Sequence, residues 1–157
     1  MTDTWTAVRA AIATKVGASS GCATAGLRDA SADVDAPLSM LPAFRVLQPT
    51  YALDWQTGVQ EHYTLDVPWE LVTARPSGRR RAEPIAAAIA RAIQVEFQSG
   101  YLMSMNLGLA TLDGLSVVLM EPGVVEYDEP DADGNPRYDG YRGVIRAGVL
   151  ESVTRTA

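Results

Sequence analysis

The amino-acid sequence predicts an α+β fold in which two helices flank a mostly antiparallel sheet of about four to five strands. Apolar residues recur at helical spacing in two stretches, residues 3–16 and 84–97. Between them, residues 63–71 alternate apolar and polar side chains, which is typical of a strand with one face in the core and one in water. Two helices of about four turns cannot cover both faces of such a sheet, so we expect them to pack on it as one layer.

The size and composition of the chain predict one folded domain. The 157 residues fit a single domain, which we expect to span residues 1–157. Apolar residues make up 47% and charged residues 20%, the balance of a globular protein rather than a disordered one. No apolar run approaches the ~18–20 residues of a membrane span. Asp3 lies where a secretory signal would carry basic residues, so we expect neither a membrane partner nor secretion.

The first helix is predicted from four apolar residues on one face: Trp5, Val8, Ile12 and Val16. Thr2 or Asp3 can cap its N terminus, and Gly17 ends it. Residues 17–40 are rich in Gly, Ala, Ser and Asp and predict a long surface connection. Cys22 lies in this connection, and we expect a passive small residue because no neighbouring Cys or His supports a reactive thiol.

The second helix is predicted to begin near Glu83 and Pro84. Proline suits the first turn of a helix, and an acidic residue suits the positive end of the helix dipole. The apolar stripe of this helix comprises Ile85, Ile89, Ala92, Ile93 and Phe97. Ser99 and Gly100 end the helix, so it covers about four turns.

The first two strands are predicted between the helices. Residues 43–48 form a short strand bracketed by prolines, and residues 63–71 form the long alternating strand. Pro68 cannot donate a ladder hydrogen bond, so it either marks an edge position or leaves its missing donor facing outward.

The last two strands are predicted after the second helix. Residues 107–121 are strand material around Asp113-Gly114, a dipeptide typical of tight turns. Residues 141–150 form the final strand, with Gly148 as a candidate bulge. The predicted order is therefore helix, strand, strand, helix, strand, strand.

The sequence predicts no catalytic residue and no cofactor. His62 is the only histidine, with Glu61 and Asp66 near it in sequence. Ser19 fits the Gly-x-Ser-x-Gly pattern at residues 17–21, but it follows a predicted helix and not the strand that a nucleophile elbow requires, so we predict no triad. His62 begins the alternating strand on its polar side, where we expect an exposed histidine. The single cysteine excludes an intramolecular disulfide and any zinc site with several cysteines.

A calcium loop is the one metal site that the sequence suggests. Asp131, Asp133 and Asn135 place oxygen ligands at alternate positions, as at the start of an EF-hand loop. The sixth and twelfth positions hold Pro136 and Arg142 in place of the required Gly and Glu. A solvated loop rich in turn-forming residues accounts for the same residue pattern, so we predict no bound metal.

The net charge of −6 comes from one segment of the chain. Residues 121–139 contain seven acids and one base, and the rest of the chain has 12 acids and 12 bases. Residues 75–81 form a basic loop that contains four arginines and is opposite in charge to this segment. We interpret the loop as a contact between subunits, and the alternative interpretation is a loop exposed to solvent. The candidate contact residues are Arg75, Arg79, Arg80, Arg81, Glu126, Asp128, Glu129, Asp131 and Asp133.

The order and character of these elements resemble the tail-terminator (tail-completion) proteins of long-tailed phages. The resemblance covers most of residues 3–153. It is carried by the first helix with Trp5, Val8 and Ile12, by residues 41–44, 63–71 and 84–97, and by residues 138–145 at the end of the chain.

The resemblance implies a non-enzymatic virion protein, assembled in the host cytoplasm and located in the tail or neck. It would form a homo-oligomeric, hexameric ring that caps the head-proximal end of the tail tube, stops tube polymerisation and joins tail to head. Its partners would be other copies of itself, the tail tube protein and a head–tail connector protein, with DNA only as cargo passing through the lumen. A head–tail adaptor, a minor tail protein and a small α+β enzyme with a metal site are the alternatives.

Cyclic symmetry requires two different complementary patches on each subunit. We therefore expect the basic loop of one copy to lie near the acidic segment of its neighbour.

Overall fold

A mostly antiparallel sheet organises the computed structural model, which describes residues 2–19, 22, 28–29, 42–74, 82–99, 110–123, 132, 134 and 138–153. Within these residues the elements are α1 (Thr2–Ala18), β1 (Arg28–Asp29), β2 (Ala43–Val46), β3 (Thr50–Gln56), β4 (Gln60–Ala74), α2 (Ala82–Ser99), β5 (Ala110–Pro122) and β6 (Tyr138–Ser152). The predicted α+β class is confirmed.

The strands follow the order β1-β2-β4-β6-β5, and β3 pairs with β4 beyond the end of β2. The two-residue β1 runs parallel to β2, and the other described pairs are antiparallel. Five antiparallel strands agree with the predicted four to five. The surface connection predicted for residues 17–40 is wrong at β1, because Arg28 and Asp29 pair with Ala43 and Phe44.

The pairing of β4 with β6 is the longest in the sheet. Each strand has 15 residues, and their register runs without a shift from Gln60 opposite Ser152 to Ala74 opposite Tyr138. Both strands extend beyond the predicted residues 63–71 and 141–150. Alternate residues of β4 and β6 are buried, as the predicted period of two requires.

Both helices pack on the same face of the sheet and close one hydrophobic core. The core side chains of β4 are Tyr63, Leu65, Val67, Trp69 and Leu71. In α1, Val8, Ile12 and Val16 are fully buried and Trp5 is partly buried, so the predicted apolar face is confirmed. Neither α1 nor α2 contains an apolar stretch long enough to cross a membrane.

A carboxylate from β6 caps the start of α2. The backbone N–H of Ala82 donates a hydrogen bond of 2.9 Å to Asp139 Oδ2. A helix leaves its first N–H groups without intrahelical partners, and an acidic acceptor both satisfies one of them and suits the helix dipole. Ala82 and Glu83 thus begin the helix close to the position predicted from Glu83 and Pro84.

The structure overturns the turn predicted at Asp113-Gly114 and adds one strand that was not predicted. Asp113-Gly114 is not a tight turn but lies inside β5, where the register with β6 shifts between Leu112 and Gly114. Continuous β6 offers pairing partners on both sides of the dipeptide, so the chain accommodates it as a bulge. β3 was not predicted, although Tyr51, Leu53 and Trp55 alternate with polar or small residues.

Pro68 lies in the interior of the sheet rather than at an edge. Its carbonyl oxygen accepts a hydrogen bond of 2.8 Å from the Leu47 N–H, which lies just beyond the end of β2. In an antiparallel pair the N–H and C=O of one residue point to the same neighbour. The missing donor of Pro68 therefore faces the interval between β2 and β3, where the ladder is already interrupted.

We expect Gly143→Ala to lower the free energy of unfolding by about 1–3 kcal/mol, the usual cost of overfilling a packed site. Gly143 lies opposite Trp69, and a methyl group there would overlap the indole ring and lie 2.7 Å from the Leu119 carbonyl oxygen. Urea unfolding measures the change. Gly114→Ala is the matched control, because no atom lies within 4 Å of its methyl position. Equal effects of the two substitutions would contradict the prediction.

Candidate functional site on the open face of the sheet

The side of the sheet opposite the helices is called here the open face. Residues 62, 64, 66, 68 and 70 of β4 point to it, because the residues between them are buried on the helix side. From β6, the open face receives the even-numbered residues of 142–150. Among the described elements, no helix packs on this face.

Ion pairs cross the strands of the open face. Arg146 of β6 donates to Asp66 of β4 through Nε at 2.8 Å and Nη2 at 3.1 Å. The hydrogen bond and charge of Asp66 raise the pKa of Arg146. In another row Arg142 lies 2.6 Å from Glu121 of β5. Opposite charges on adjacent strands favour the pairing of those strands.

His62 lies between two carboxylates on this face. Its Nδ1 is 2.8 Å from Asp54 Oδ2, and its Nε2 is 2.7 Å from Asp113 Oδ2. Thr64 Oγ1 donates a hydrogen bond of 2.8 Å to the same Asp54 oxygen. The Trp55 ring stacks on the imidazole with centroids 5.8 Å apart and planes 12° apart. The His62 side chain is only 19% exposed, so the predicted exposed histidine is largely covered.

Two strand irregularities and one glycine bring the carboxylates to His62. Asp54 lies where the β3–β4 register shifts between Leu53 and Trp55. Asp113 lies at the corresponding shift in β5, where Gly114 pairs with Gly148 of β6. A Cβ atom on Gly148 would collide with Asp113 Oδ1. The bulge predicted at Gly148 of β6 is therefore wrong, because the extra residue belongs to β5. Gly148 instead leaves room for the Asp113 carboxylate.

The charged neighbours of His62 differ from those suggested by the sequence. Glu61 points to the opposite face and is buried, and Asp66 pairs with Arg146. Asp54 and Asp113 are the actual partners. Neither aspartate could be identified from the sequence, because β3 was not predicted and Asp113-Gly114 has the local preference of a tight turn.

Apolar side chains interrupt the ionic rows of the open face. Leu47, Pro68, Val144 and Leu119 line a groove of about 470 Å³, with Glu70, Glu121 and Arg142 also lining it. Leu47 is 37% exposed and Leu119 is 43% exposed. The groove thus joins apolar surface to carboxylates that already have arginine partners.

All nine predicted contact residues lie outside the described residues: Arg75, Arg79, Arg80, Arg81, Glu126, Asp128, Glu129, Asp131 and Asp133. The residues that flank the two segments are described. The basic segment follows Ala74, and the acidic segment ends at Tyr138 and Asp139, which pair with Ala74 and Thr73. One end of each segment therefore lies at the same end of the sheet.

The suggested calcium ligands Asp131, Asp133 and Asn135 also lie outside the described residues. Gly134 between them has φ +79°, a left-handed conformation that favours glycine. Over the part of the chain that the structure describes, no group of three or more His, Cys, Asp and Glu side chains is placed to hold a metal ion. Cys22 is buried, and burial raises the pKa of its thiol, which favours the predicted passive role.

A buried polar cluster lies on the helix side of the sheet. The Tyr63 hydroxyl donates a hydrogen bond of 2.8 Å to Glu151 Oε2, and Thr4 Oγ1 lies 3.5 Å from Glu151 Oε1. Burial raises the pKa of Tyr63, and the hydrogen bond and charge of Glu151 raise it further. The alternation of buried and exposed residues continues beyond residues 63–71 and 141–150 and places Glu61 and Glu151 on this face. The sequence pattern could therefore have predicted two buried glutamates.

Comparison of the sequence with protein-family models and with curated proteins found no match.

We expect Tyr63→Phe to lower the free energy of unfolding by about 1–3 kcal/mol, because a buried Glu151 oxygen loses a donor. Native Tyr63 keeps its proton above about pH 10, where the unfolded chain releases it. The wild type therefore loses this contribution as the pH rises through that range, and the variant does not.

Denaturant unfolding from pH 7 to 11 measures both effects. Tyr141→Phe, the same change at a half-buried tyrosine, is the control, and its expected effect is within about 0.5 kcal/mol. A Tyr63→Phe variant as stable as the wild type at pH 7 would refute the role of the hydrogen bond.

Proposed function

We propose that this chain is a structural subunit of a phage tail that forms a ring at the head-proximal end of the tail tube. The ring stops tube polymerisation and joins the tail to the head, and it needs no catalytic residue. Its partners are further copies of the chain, the tail tube protein and a head–tail connector protein. The virion is its location, and DNA passes through its lumen only as cargo.

The observation that carries the proposal is an open face on which no described helix packs, with apolar side chains at both flanks of the sheet. On one flank, Trp55 of β3 is 46% exposed. On the other flank, Val118 and Leu119 of β5 are 44% and 43% exposed. We assign these exposed apolar side chains to the contacts between subunits, because contiguous apolar surface marks protein–protein contact sites.

The two flanks are different, as a closed ring requires. In a cyclic assembly each subunit uses one patch toward its left neighbour and a different patch toward its right neighbour. The β3 flank and the β5 flank lie on opposite sides of the central β4–β6 pair. Burying one against the other in head-to-tail contact would remove both apolar patches from water and cover strand edges that otherwise invite uncontrolled pairing.

The charged segments determine how neighbouring subunits are oriented in this contact. The arginines within residues 75–81 and the acids within residues 121–139 are opposite in sign. Charge complementarity across an interface selects the partner and its register more than it adds affinity. One end of each segment lies at the same end of the sheet, so pairing within one copy competes with pairing between copies. Unpaired acids facing the lumen would repel DNA and keep it from adhering.

We expect purified protein to have a mass near 101 kDa, six times the 16.8 kDa of one chain. Light scattering coupled to size-exclusion chromatography measures this mass, and negative-stain images should show rings with a central hole. A mass of 16.8 kDa at every concentration would refute the ring and favour the adaptor alternative.

We expect reversal of charge in one segment to abolish the ring, and mixing of two complementary variants to restore it. One variant carries Arg79→Glu, Arg80→Glu and Arg81→Glu. The other carries Glu126→Arg, Asp128→Arg and Glu129→Arg. If the segments meet between copies, each variant alone loses ring mass, whereas an equimolar mixture forms rings of alternating subunits.

The mixture separates contact between copies from contact within one copy. If the segments pair within one copy, mixing leaves both variants as deficient as they are alone. Arg91→Glu, on the exposed surface of α2, controls for a change of net charge and should leave the ring intact. Intact rings in each segment variant would overturn the assignment of these residues to the interface.

A further inference from the structure

We propose that Asp54, His62 and Asp113 form a proton-operated clamp that joins β3, β4 and β5 across the open face. The proposal does not depend on the proposed function. It stands on the position of one imidazole between two carboxylates, each carried by a residue at a register shift of its strand.

The hydrogen-bonding inventory requires an additional proton. A neutral imidazole has one N–H donor and one lone-pair acceptor, and a carboxylate only accepts. Both ring nitrogens of His62 lie 2.7–2.8 Å from carboxylate oxygens. Both contacts are hydrogen bonds only when the cluster holds one proton more than a neutral imidazole and two carboxylates. With both aspartates ionised, that proton makes His62 an imidazolium.

The clamp links strands that the backbone ladder does not join. In the described sheet β4 and β5 are separated by β6, so its ladder hydrogen bonds connect them through that strand. The Asp113 carboxylate reaches His62 above Gly148, where any larger residue would block it. A residue at a register shift has no direct partner in the ladder. Its side-chain contacts therefore hold the bulge in position, and the imidazolium holds two bulges together.

The charges around His62 are unbalanced toward acid. From β3 it faces Asp54, and from β5 it faces Asp113. From β6, the cationic Arg146 is engaged by Asp66 of β4. Glu61 and the Glu151 opposite it are buried on the other side of the sheet, and no described helix contributes a charge to the open face. Two carboxylates thus compete for one imidazolium.

Loss of the proton opens the clamp. A deprotonated ring nitrogen presents a lone pair to one of the carboxylates, so that contact becomes repulsive. The folded chain holds this additional proton between the two carboxylates, and the unfolded chain has no such pair of contacts to hold it. Stability must then fall as the pH rises, because the native state binds more protons than the unfolded state. The strands that then lose their contact with His62 are β3 and β5, the flanks of the open face.

Nitrogen NMR of the imidazole provides the direct test. His62 is the only histidine, so its ring signals need no assignment among residues. We expect both ring nitrogens of the wild-type protein to be protonated at pH 7. A neutral tautomer in the wild type at pH 7 would overturn the proposal.

Asp113→Asn tests the mechanism without removing the contact. The amide can donate to a neutral ring nitrogen, so the variant satisfies His62 without the additional proton. We expect the unfolding equilibrium constant of the wild type to rise with pH relative to this variant, by up to about tenfold per pH unit, the limit for one proton. Hydrogen exchange, corrected for intrinsic rates, should accelerate in β3 and in the bulge of β5 before it does in β6.

Asp66→Asn is the matched control, because it removes a carboxylate of the same face that pairs with Arg146 and not with His62. It should retain the wild-type pH slope. Should Asp113→Asn fail to fold, His62→Gln provides a side chain that does not titrate, and the same loss of slope is expected. Parallel pH profiles for the wild type, Asp113→Asn and Asp66→Asn would refute the clamp.

Discussion

The unbroken pairing of β4 with β6 is the constraint on which the rest of the structure depends. Fifteen consecutive register pairs fix which side chains face the helices and which face the open side. A slip of one residue would exchange the two sets, burying the carboxylates and exposing Leu65 and Val67. The helices can pack only where this pairing presents an apolar surface, and the other strands attach to its two outer edges.

Two glycines of β6 adapt this pairing to large neighbours on opposite faces. Gly143 leaves space for the Trp69 ring on the helix side, and Gly148 leaves space for the contact of Asp113 with His62 on the open side. A side chain at either position would displace a partner from β4 or β5. The central strand therefore combines regular backbone hydrogen bonds with local gaps, and these gaps let side chains interact across it.

Period-two alternation predicted the faces of the two central strands, because each residue of a regular strand determines the orientation of the next. It did not predict the partners of His62, because Asp54 lies in β3, which was not predicted, and Asp113 lies in a dipeptide predicted as a turn. Asp113-Gly114 has the local preference of a turn, yet long-range pairing with β6 overrides that preference. The charged segments were evident from composition, but a periodic pattern is absent there, so their geometry could not be inferred.

The internal pairing of charges bears on how the open face could be covered by another subunit. Burying an unpaired carboxylate is costly, whereas a carboxylate already bonded to arginine loses less on transfer from water. Asp66 and Glu121 each have such an arginine on the neighbouring strand. A partner could therefore bury the apolar groove between these rows without supplying counter-charges of its own. Apolar burial would then provide the affinity, and the charged segments would select the partner and its orientation. Because salt screens charges, added salt should weaken this selection more than it weakens the affinity.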